Sequence, residues 1–248
     1  MASTLKADHR ANQLLAALEP EDFAFLDPDL QIVEMPKGKV LYEAGDTIRH
    51  TYFPHDCIVS LVNIMEDGRF VEVTSFGCEG LFGLISALVS RESFGRYRVQ
   101  IGGTASRTGL GKMHDAINAR PRIRRLVLSY TEALLAQTFQ SVSCNAVHSV
   151  EARCANWILS TRDRLDQDCL PLTHETLSEM LGVQRSTVSL VLRTFQMAGL
   201  IGQTRGVIIV KDRADLEGIA CECYGRIMQH YRRLLPGPVP RSKSGWTA

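Results

Sequence analysis

The sequence predicts an α+β fold: a β-rich N-terminal roll or sandwich, one long helix, and a C-terminal helix-turn-helix backed by a short hairpin. Three observations carry this. Short β-prone runs alternate with turn residues between about residues 30 and 110. After Pro121 the chain runs to about Ser143 with neither Gly nor Pro. Residues 172–201, LTHETLSEMLGVQRSTVSLVLRTFQMAGLI, then read as a helix, a glycine turn and a second helix.

In the β-rich half, Leu14, Leu15 and Leu18 first suggest a short amphipathic helix. Pro36-Lys37-Gly38-Lys39 precedes the run Val40-Leu41-Tyr42, and Gly45-Asp46 precedes a strand at Tyr52-Phe53. Residues 58–64 and 69–75 flank Glu66-Asp67-Gly68, where Asp-Gly favours a tight hairpin turn. Residues 97–101 and 104–108 flank Gly102-Gly103 in the same way.

Pro121 suits a first helical position, having no N–H to leave unpaired there. In the helix that follows, Ile123, Val127, Tyr130, Leu134, Gln137, Ser141 and Cys144 recur in steps of four and three. That spacing makes a seam for a partner helix, so these residues are the expected dimer interface. A second stripe, Leu128, Leu135, Phe139 and Val142, is expected to pack on the chain's own β-rich domain. The alternative is one wide apolar face on a monomeric core helix. Residues 143–148 read as a hinge.

Thr173 is a good N-cap for the next helix, its hydroxyl able to accept from an unpaired N–H of the first turn. Leu177 and Leu181 share its inner face, Gly182 permits the left-handed residue that ends it, and Ser178 is small where the helices cross. The second helix, from about Arg185 to about Ala198, buries Val188, Val191, Leu192 and Phe195. Its other face offers Gln184, Arg185, Ser186, Thr187, Ser189 and Arg193, a row able to donate hydrogen bonds to base edges or phosphates. The plainer reading is a helical hairpin with a solvated polar face. Leu200-Ile201 and residues 207–210 then flank Gln203-Thr204-Arg205-Gly206 as a two-stranded wing, with Arg205 at its tip to grip phosphate.

Bulk properties are those of an ordinary globular chain of 248 residues, 45% hydrophobic and 22% charged, with a net charge of +1. From His148 onward 13 Lys/Arg face 10 Asp/Glu, so nucleic-acid affinity must come from a local patch. No apolar run approaches a membrane span and the first residues lack a signal-peptide core, which points to the cytoplasm. There is no GxSxG, HExxH or Walker loop, so no enzyme is expected and no catalytic residue is assigned. The seven cysteines contain no CxxC pair, which removes a zinc ribbon, and His50, His55, His114, His148 and His174 show no ligand spacing. Cys221 and Cys223 should diverge by about 200° if both are helical, so they are not expected to share an ion. The metal expectation is none. Residues 236–248, stopped off by Pro236-Gly237-Pro238 and carrying Trp246, read as a disordered tail.

Taken in order, three segments resemble the Crp–Fnr family of bacterial transcription regulators. LYEAGDTIRHTYFPHDCIVSLV resembles the start of that family's cyclic-nucleotide-binding-type β-roll, SYTEALLAQTFQSVSCNAVHSVEARCANWIL its dimer helix and hinge, and residues 172–201 with the TRG hairpin its winged helix-turn-helix. The resemblance implies a β-roll over residues 1–118, a dimerisation helix and hinge over 119–147, and a DNA-binding domain over 148–235. It implies a homodimer on a palindromic site, with Thr173, Gln184, Arg185, Ser186, Thr187, Ser189, Arg193 and Arg205 on DNA and Arg185 as principal base reader. Leu190 stands where the best-known member has a second base-reading arginine. Expected partners are double-stranded DNA, a second copy, RNA polymerase and a small-molecule effector, with no membrane.

The effector pocket departs from the family pattern. In EGLFGLISALVSRESFGRYRVQIGG, Gly80 and Gly83 lie in the matching stretch, but Leu84 stands where the ribose-binding glutamate should be. Arg96 and Arg98 are out of register with the phosphate-binding arginine and lack the Ser/Thr-Ala that should follow it. They are candidates for another anion, or plain strand charges. Leucine cannot accept from a ribose hydroxyl, so cyclic AMP is not the expected effector. The first 56 residues hold no cysteine, so the iron–sulfur cluster of one branch is not supported. Two other readings stay open: a β-roll protein acting through protein contacts, and a cysteine-based redox or metal sensor.

Overall fold

A computed structural model of the chain describes residues 8–236. The remaining tail residues, Trp246 among them, lie outside the described residues. The elements run α1 (Gln13–Ala16), α2 (Pro20–Leu26), β1 (Gln31–Met35), β2 (Val40–Tyr42), β3 (His50–Pro54), β4 (Ile58–Ile64), β5 (Phe70–Phe76), β6 (Arg96–Ile101), β7 (Gly103–Gly109), α3 (Leu110–Ala119) and α4 (Pro121–Val147). Then come α5 (Val150–Leu165), β8 (Cys169–Leu170), α6 (His174–Leu181), α7 (Arg185–Met197), β9 (Ile201–Thr204), β10 (Val207–Val210), α8 (Arg213–Ile219) and α9 (Glu222–Leu234). The α+β class is as the sequence predicts. No helix among the described residues is long and apolar enough to cross a membrane.

The chain divides into two compact units. One takes the residues up to Val59 and Phe76–Thr131; the other takes Ser60–Ser75 and Glu132–Leu234. This differs from the division expected at residue 118, because most of the β4–β5 hairpin groups with the helical unit and α4 runs from one unit into the other.

In the first unit β1 and β3 flank β7, antiparallel on both sides, and β2 pairs antiparallel with β6. Alternating residues send aromatic rings into one core. Tyr52 stacks on Phe82 at 4.9 Å, and Phe82 lies 5.4 Å from Tyr97 and 5.6 Å from Phe76. Such offset and edge pairs add ~0.5–1.5 kcal/mol each beyond area burial. Gly83 sits at φ +90°, and a Cβ there would strike the carbonyl oxygen of His50.

In the second unit, strands β4 and β5 dock through polar groups. Gln137 donates to Thr74 at 2.8 Å, Arg164 to Ser75 at 2.8 Å, and the Trp157 indole to Glu72 at 3.1 Å, while Ser60 donates to the other Glu72 oxygen. Ser149 caps α5 by accepting from the Ala152 N–H. At the far end of α5, Asp163 takes Arg213 at 2.5 Å and accepts from the Tyr224 hydroxyl, which ties α8 and α9 to α5. Because α4 continues to Val147, the expected hinge of residues 143–148 contracts to His148 and Ser149.

The dimer-seam expectation for α4 is overturned. Ile123, Val127, Tyr130, Leu134 and Gln137 are buried within the single chain, and Ser141 is half-buried. Two local causes fix that direction. Gly80 clears space for the Tyr130 ring, whose hydroxyl and ring carbons occupy the place a Cβ would take. Further along, Gln137 is held by Thr74 and Arg164. The stripe expected to pack inward is the one outside: Leu128 is 62% exposed, Leu135 51%, Phe139 68% and Val142 64%.

Candidate nucleic-acid interface

Local chemistry builds the helix-turn-helix as the sequence predicts. The Thr173 hydroxyl accepts from the Thr176 N–H, starting α6. Leu177 and Leu181 are buried, and Gly182 adopts φ +64° to end the helix. The Val183 N–H then closes on the Ser178 carbonyl at 3.1 Å, the wider loop of a Schellman-type stop. Arg153 of α5 donates to the Leu181 carbonyl, fixing that stop from behind. In α7, Val188, Leu192 and Phe195 are buried, while Val191 is only half-buried.

The outward face of α7 shows Gln184, Arg185, Ser186, Leu190, Arg193, Thr194 and Met197 exposed, with Thr187 half-buried. Gln184 occupies the N-cap without making a side-chain cap, and its carbonyl accepts from the Thr187 N–H at 3.0 Å. Arg185, 69% exposed, lies 3.6 Å from Glu175 of α6. An exposed pair of this kind is worth little, ~0–1 kcal/mol, and orients Arg185 more than it holds it.

The wing is larger than expected. β9 and β10 pair through Thr204↔Val207, with Gly206 at φ +77° in the turn beside exposed Arg205. β8 adds a third strand in the order β8-β10-β9. Two residues are too short a run to register as a strand in sequence. A cleft lined by Thr173, His174, Glu175, Arg185, Gln203 and Gly206 separates the wing from the start of α7.

Sequence reasoning missed the strut across that cleft. His174 binds Ser189 of α7 through Nδ1 at 2.8 Å and Gln203 of β9 through Nε2 at 2.7 Å. Gln203 in turn donates to Gln196 at 3.0 Å and to the Leu192 carbonyl at 3.3 Å. Ser189 is half-buried, its hydroxyl engaged by His174 of α6 and donating to the Arg185 carbonyl. The only sequence sign was the position of His174 directly after a capping threonine.

The effector-pocket candidates do not form one polar site. Gly80 and Gly83 serve close packing against Tyr130 and His50, and Leu84 is fully buried. Arg96 pairs with Glu43 at 2.7 Å, and Arg98 is half-buried.

One expectation about cysteines also fails geometrically. Cys221 precedes α9 rather than lying within it, so the helical divergence from Cys223 does not apply. The thiols of Cys144, Cys221 and Cys223 converge with the His148 imidazole. Elsewhere burial pushes Cys57 and Cys154 up to about 12, as befits inert core thiols.

Comparison with known proteins agrees with this architecture. The profile of Crp-like helix-turn-helix domains matches residues 152–219, and that of cyclic nucleotide-binding domains matches residues 32–100. The global nitrogen regulator of Synechococcus elongatus is 24% identical over 183 residues, covering 69% of this chain and 82% of its own length. FixK2 from Bradyrhizobium japonicum superposes with a TM-score of 0.66 at 17% identity, covering 77% of this chain and 98% of its own. A CRP-family transcriptional regulator from Thermus thermophilus gives 0.64 at 19% identity, covering 76% and 96%. With a cyclic nucleotide-binding domain ahead of a Crp-like helix-turn-helix, the chain belongs to the Crp–Fnr family of transcription regulators.

Proposed function

We propose that the protein is a cytoplasmic homodimer that reads a palindromic DNA site with two α7 helices, set near one helical turn of DNA (~34 Å) apart. The observation that carries this is the row Gln184, Arg185, Ser186 and Arg193, left outside by a helix whose other face is fully buried, with Arg205 on the neighbouring wing. Arg185 donates in bidentate fashion to a guanine, swinging off Glu175 as the groove closes over it. Gln184, Ser186, Thr187 and Thr173 serve secondary base or phosphate contacts, and Arg193 and Arg205 grip phosphate. Leu190, exposed in the middle of the row, suits the methyl group of a thymine rather than a guanine.

The exposed stripe of α4 supports the second copy. Leu128, Leu135 and Val142 are seven apart, and Phe139 falls between at steps of four and three, a seam for an identical helix. The β-roll then acts as the regulatory domain, its effector other than cyclic AMP, and the DNA-bound dimer acts on RNA polymerase.

A selection over randomised duplexes at two salt concentrations tests the reading. Wild-type protein should enrich an inverted repeat. Arg185→Ala should lose ~1–3 kcal/mol of discrimination at one base pair of each half-site. Arg205→Ala should weaken all sequences alike and reduce the salt slope by about 1. Failure to enrich any inverted repeat, or an equal loss on all sequences for Arg185→Ala, refutes the assignment.

A further inference from the structure

We propose that Cys144, His148, Cys221 and Cys223 bind one Zn²⁺ in a closed tetrahedral site that joins the end of α4 to the start of α9. Their ligand atoms all lie within 4.8 Å of one another. Cys144 Sγ is 3.5 Å from Cys221 Sγ, and Cys223 Sγ is 3.5 Å from His148 Nδ1. With zinc–sulfur bonds of ~2.3 Å and zinc–nitrogen bonds of ~2.0 Å, a tetrahedron spaces its ligand atoms by roughly 3.5–3.8 Å. The four atoms are thus already near their coordinated spacing.

The backbone explains the convergence. Cys144 and His148 are four apart, and the His148 N–H bonds to the Cys144 carbonyl at 3.0 Å, so both side chains leave the last turn of α4 on one side. Cys221 approaches from the segment before α9 and Cys223 from its first turn. Asp163, Arg213 and Tyr224 anchor that end of α9 to α5 and so hold the two thiols in place.

The surroundings are those of metal-bound thiolates rather than of thiols. Asn156 aims its amide N–H at Cys221 Sγ at 2.8 Å and lies 3.7 Å from Cys144 Sγ, and Gln140 aims its own at Cys223 Sγ at 3.0 Å. A neutral thiol is a weak acceptor for such donors, whereas a thiolate is a strong one. On the far side of the imidazole, Nε2 lies 3.3 Å from the Glu222 carboxylate. That contact fixes the ring so that Nδ1 carries the free lone pair, the usual arrangement around a metal-bound histidine. Three sulfur donors select a soft ion over Mg²⁺ or Ca²⁺, and four protein ligands leave no open position for water.

Binding replaces three S–H bonds by three Zn–S bonds and releases three protons to solvent, with no change of oxidation state. The product, Zn²⁺ with three thiolates and a neutral imidazole, carries one negative charge, which the Asn156 and Gln140 N–H groups spread. The ion would close the chain between His148 and Cys221 and brace the α4–α5 junction.

Elemental analysis of full-length protein purified under reducing conditions should find one zinc per chain. After chelator treatment, Co²⁺ should restore the ligand-field and sulfur-to-metal absorption of a tetrahedral thiolate site. Cys221→Ser and Cys223→Ser should abolish that spectrum, while Cys169→Ser, at an exposed cysteine outside the cluster, should leave it intact. Asn156→Ala should weaken metal affinity ~10–100-fold. Folded, reduced wild-type protein that neither retains zinc nor gives the Co²⁺ spectrum overturns the proposal. So does a Cys144–Cys221 disulfide as the isolated form with no metal uptake after reduction, or metal binding that survives both serine variants.

Discussion

Helices α4 and α7 each bury one apolar stripe, but what they leave outside differs in kind. Along α7 the outer face is a row of donors and cations interrupted by Leu190. Along α4 it is Leu128, Leu135, Phe139 and Val142, all more than half exposed. Water already solvates the first row, so only a polyanion that satisfies the same groups more strongly gives it a partner. The second row loses free energy to water wherever it is bare, and a copy of itself removes that cost. On the proposed reading, one helix meets a polar ligand and the other a copy of itself.

The most severe way to break the comparison is to charge the α4 row. Phe139→Asp places a carboxylate opposite its symmetry mate and removes two apolar side chains from the seam. Each is worth ~1.5–3 kcal/mol when fully buried, so the dimer should weaken by about 100-fold or more, and palindrome binding with it. The chain should stay folded, since Phe139 is already in water in the single copy. Sedimentation of the variant as an unchanged dimer would move the seam elsewhere.

The inner stripe should answer in the opposite way. Leu134, 7% exposed, is buried within the single chain, so Leu134→Ala should cost ~2–5 kcal/mol of stability with the subunit affinity of the folded protein unaltered. A variant that melts like wild type but dissociates would restore the arrangement first expected from the sequence.

That expectation went astray for a definable reason. Periodicity gives the angle between two stripes on one helix, not which of them faces inward, and both stripes of α4 carry large apolar residues. The deciding groups were remote in sequence: the missing side chain at Gly80 and the hydrogen bond from Gln137 to Thr74. The helix-turn-helix was legible because its signals are local, with Thr173 as cap, Gly182 as stop, and leucines four apart. The cysteine cluster was hidden twice over. Its halves lie 77 positions apart in the chain, between Cys144 and Cys221, and its geometry depends on α9 beginning one residue after Cys221. A Cys-x-x-x-His at helical spacing was the available clue. β8 was lost because two residues carry no period.

On the α7 side a smaller effect separates reading from positioning. His174→Ala removes two hydrogen bonds, each worth ~0.5–1.5 kcal/mol net, from a residue that joins α7 to the wing. Affinity for the selected site should fall about three- to tenfold with the base preference unchanged, and amide protection in β9 should drop. A changed base preference would make His174 a reader instead of a strut.

The smallest effect concerns Glu72 of β5, which meets Trp157 of α5. Burial raises the Glu72 carboxyl above its ordinary value of 4.5, opposed in part by Ser60, Trp157 and Arg164. The folded chain therefore holds this proton more tightly than the unfolded chain does. The group's contribution is fully present below pH 4.5, is lost as pH rises through the raised folded value, and is flat above it. Glu72→Gln keeps an acceptor for the Trp157 indole and has no proton to lose. Its melting temperature relative to wild type should accordingly climb from pH 4.5 upward and then level off, with Trp157 fluorescence as a local probe. If the variant instead lost ground as pH rose, the carboxylate would be the favoured form, with Arg164 at the end of α5 outweighing burial.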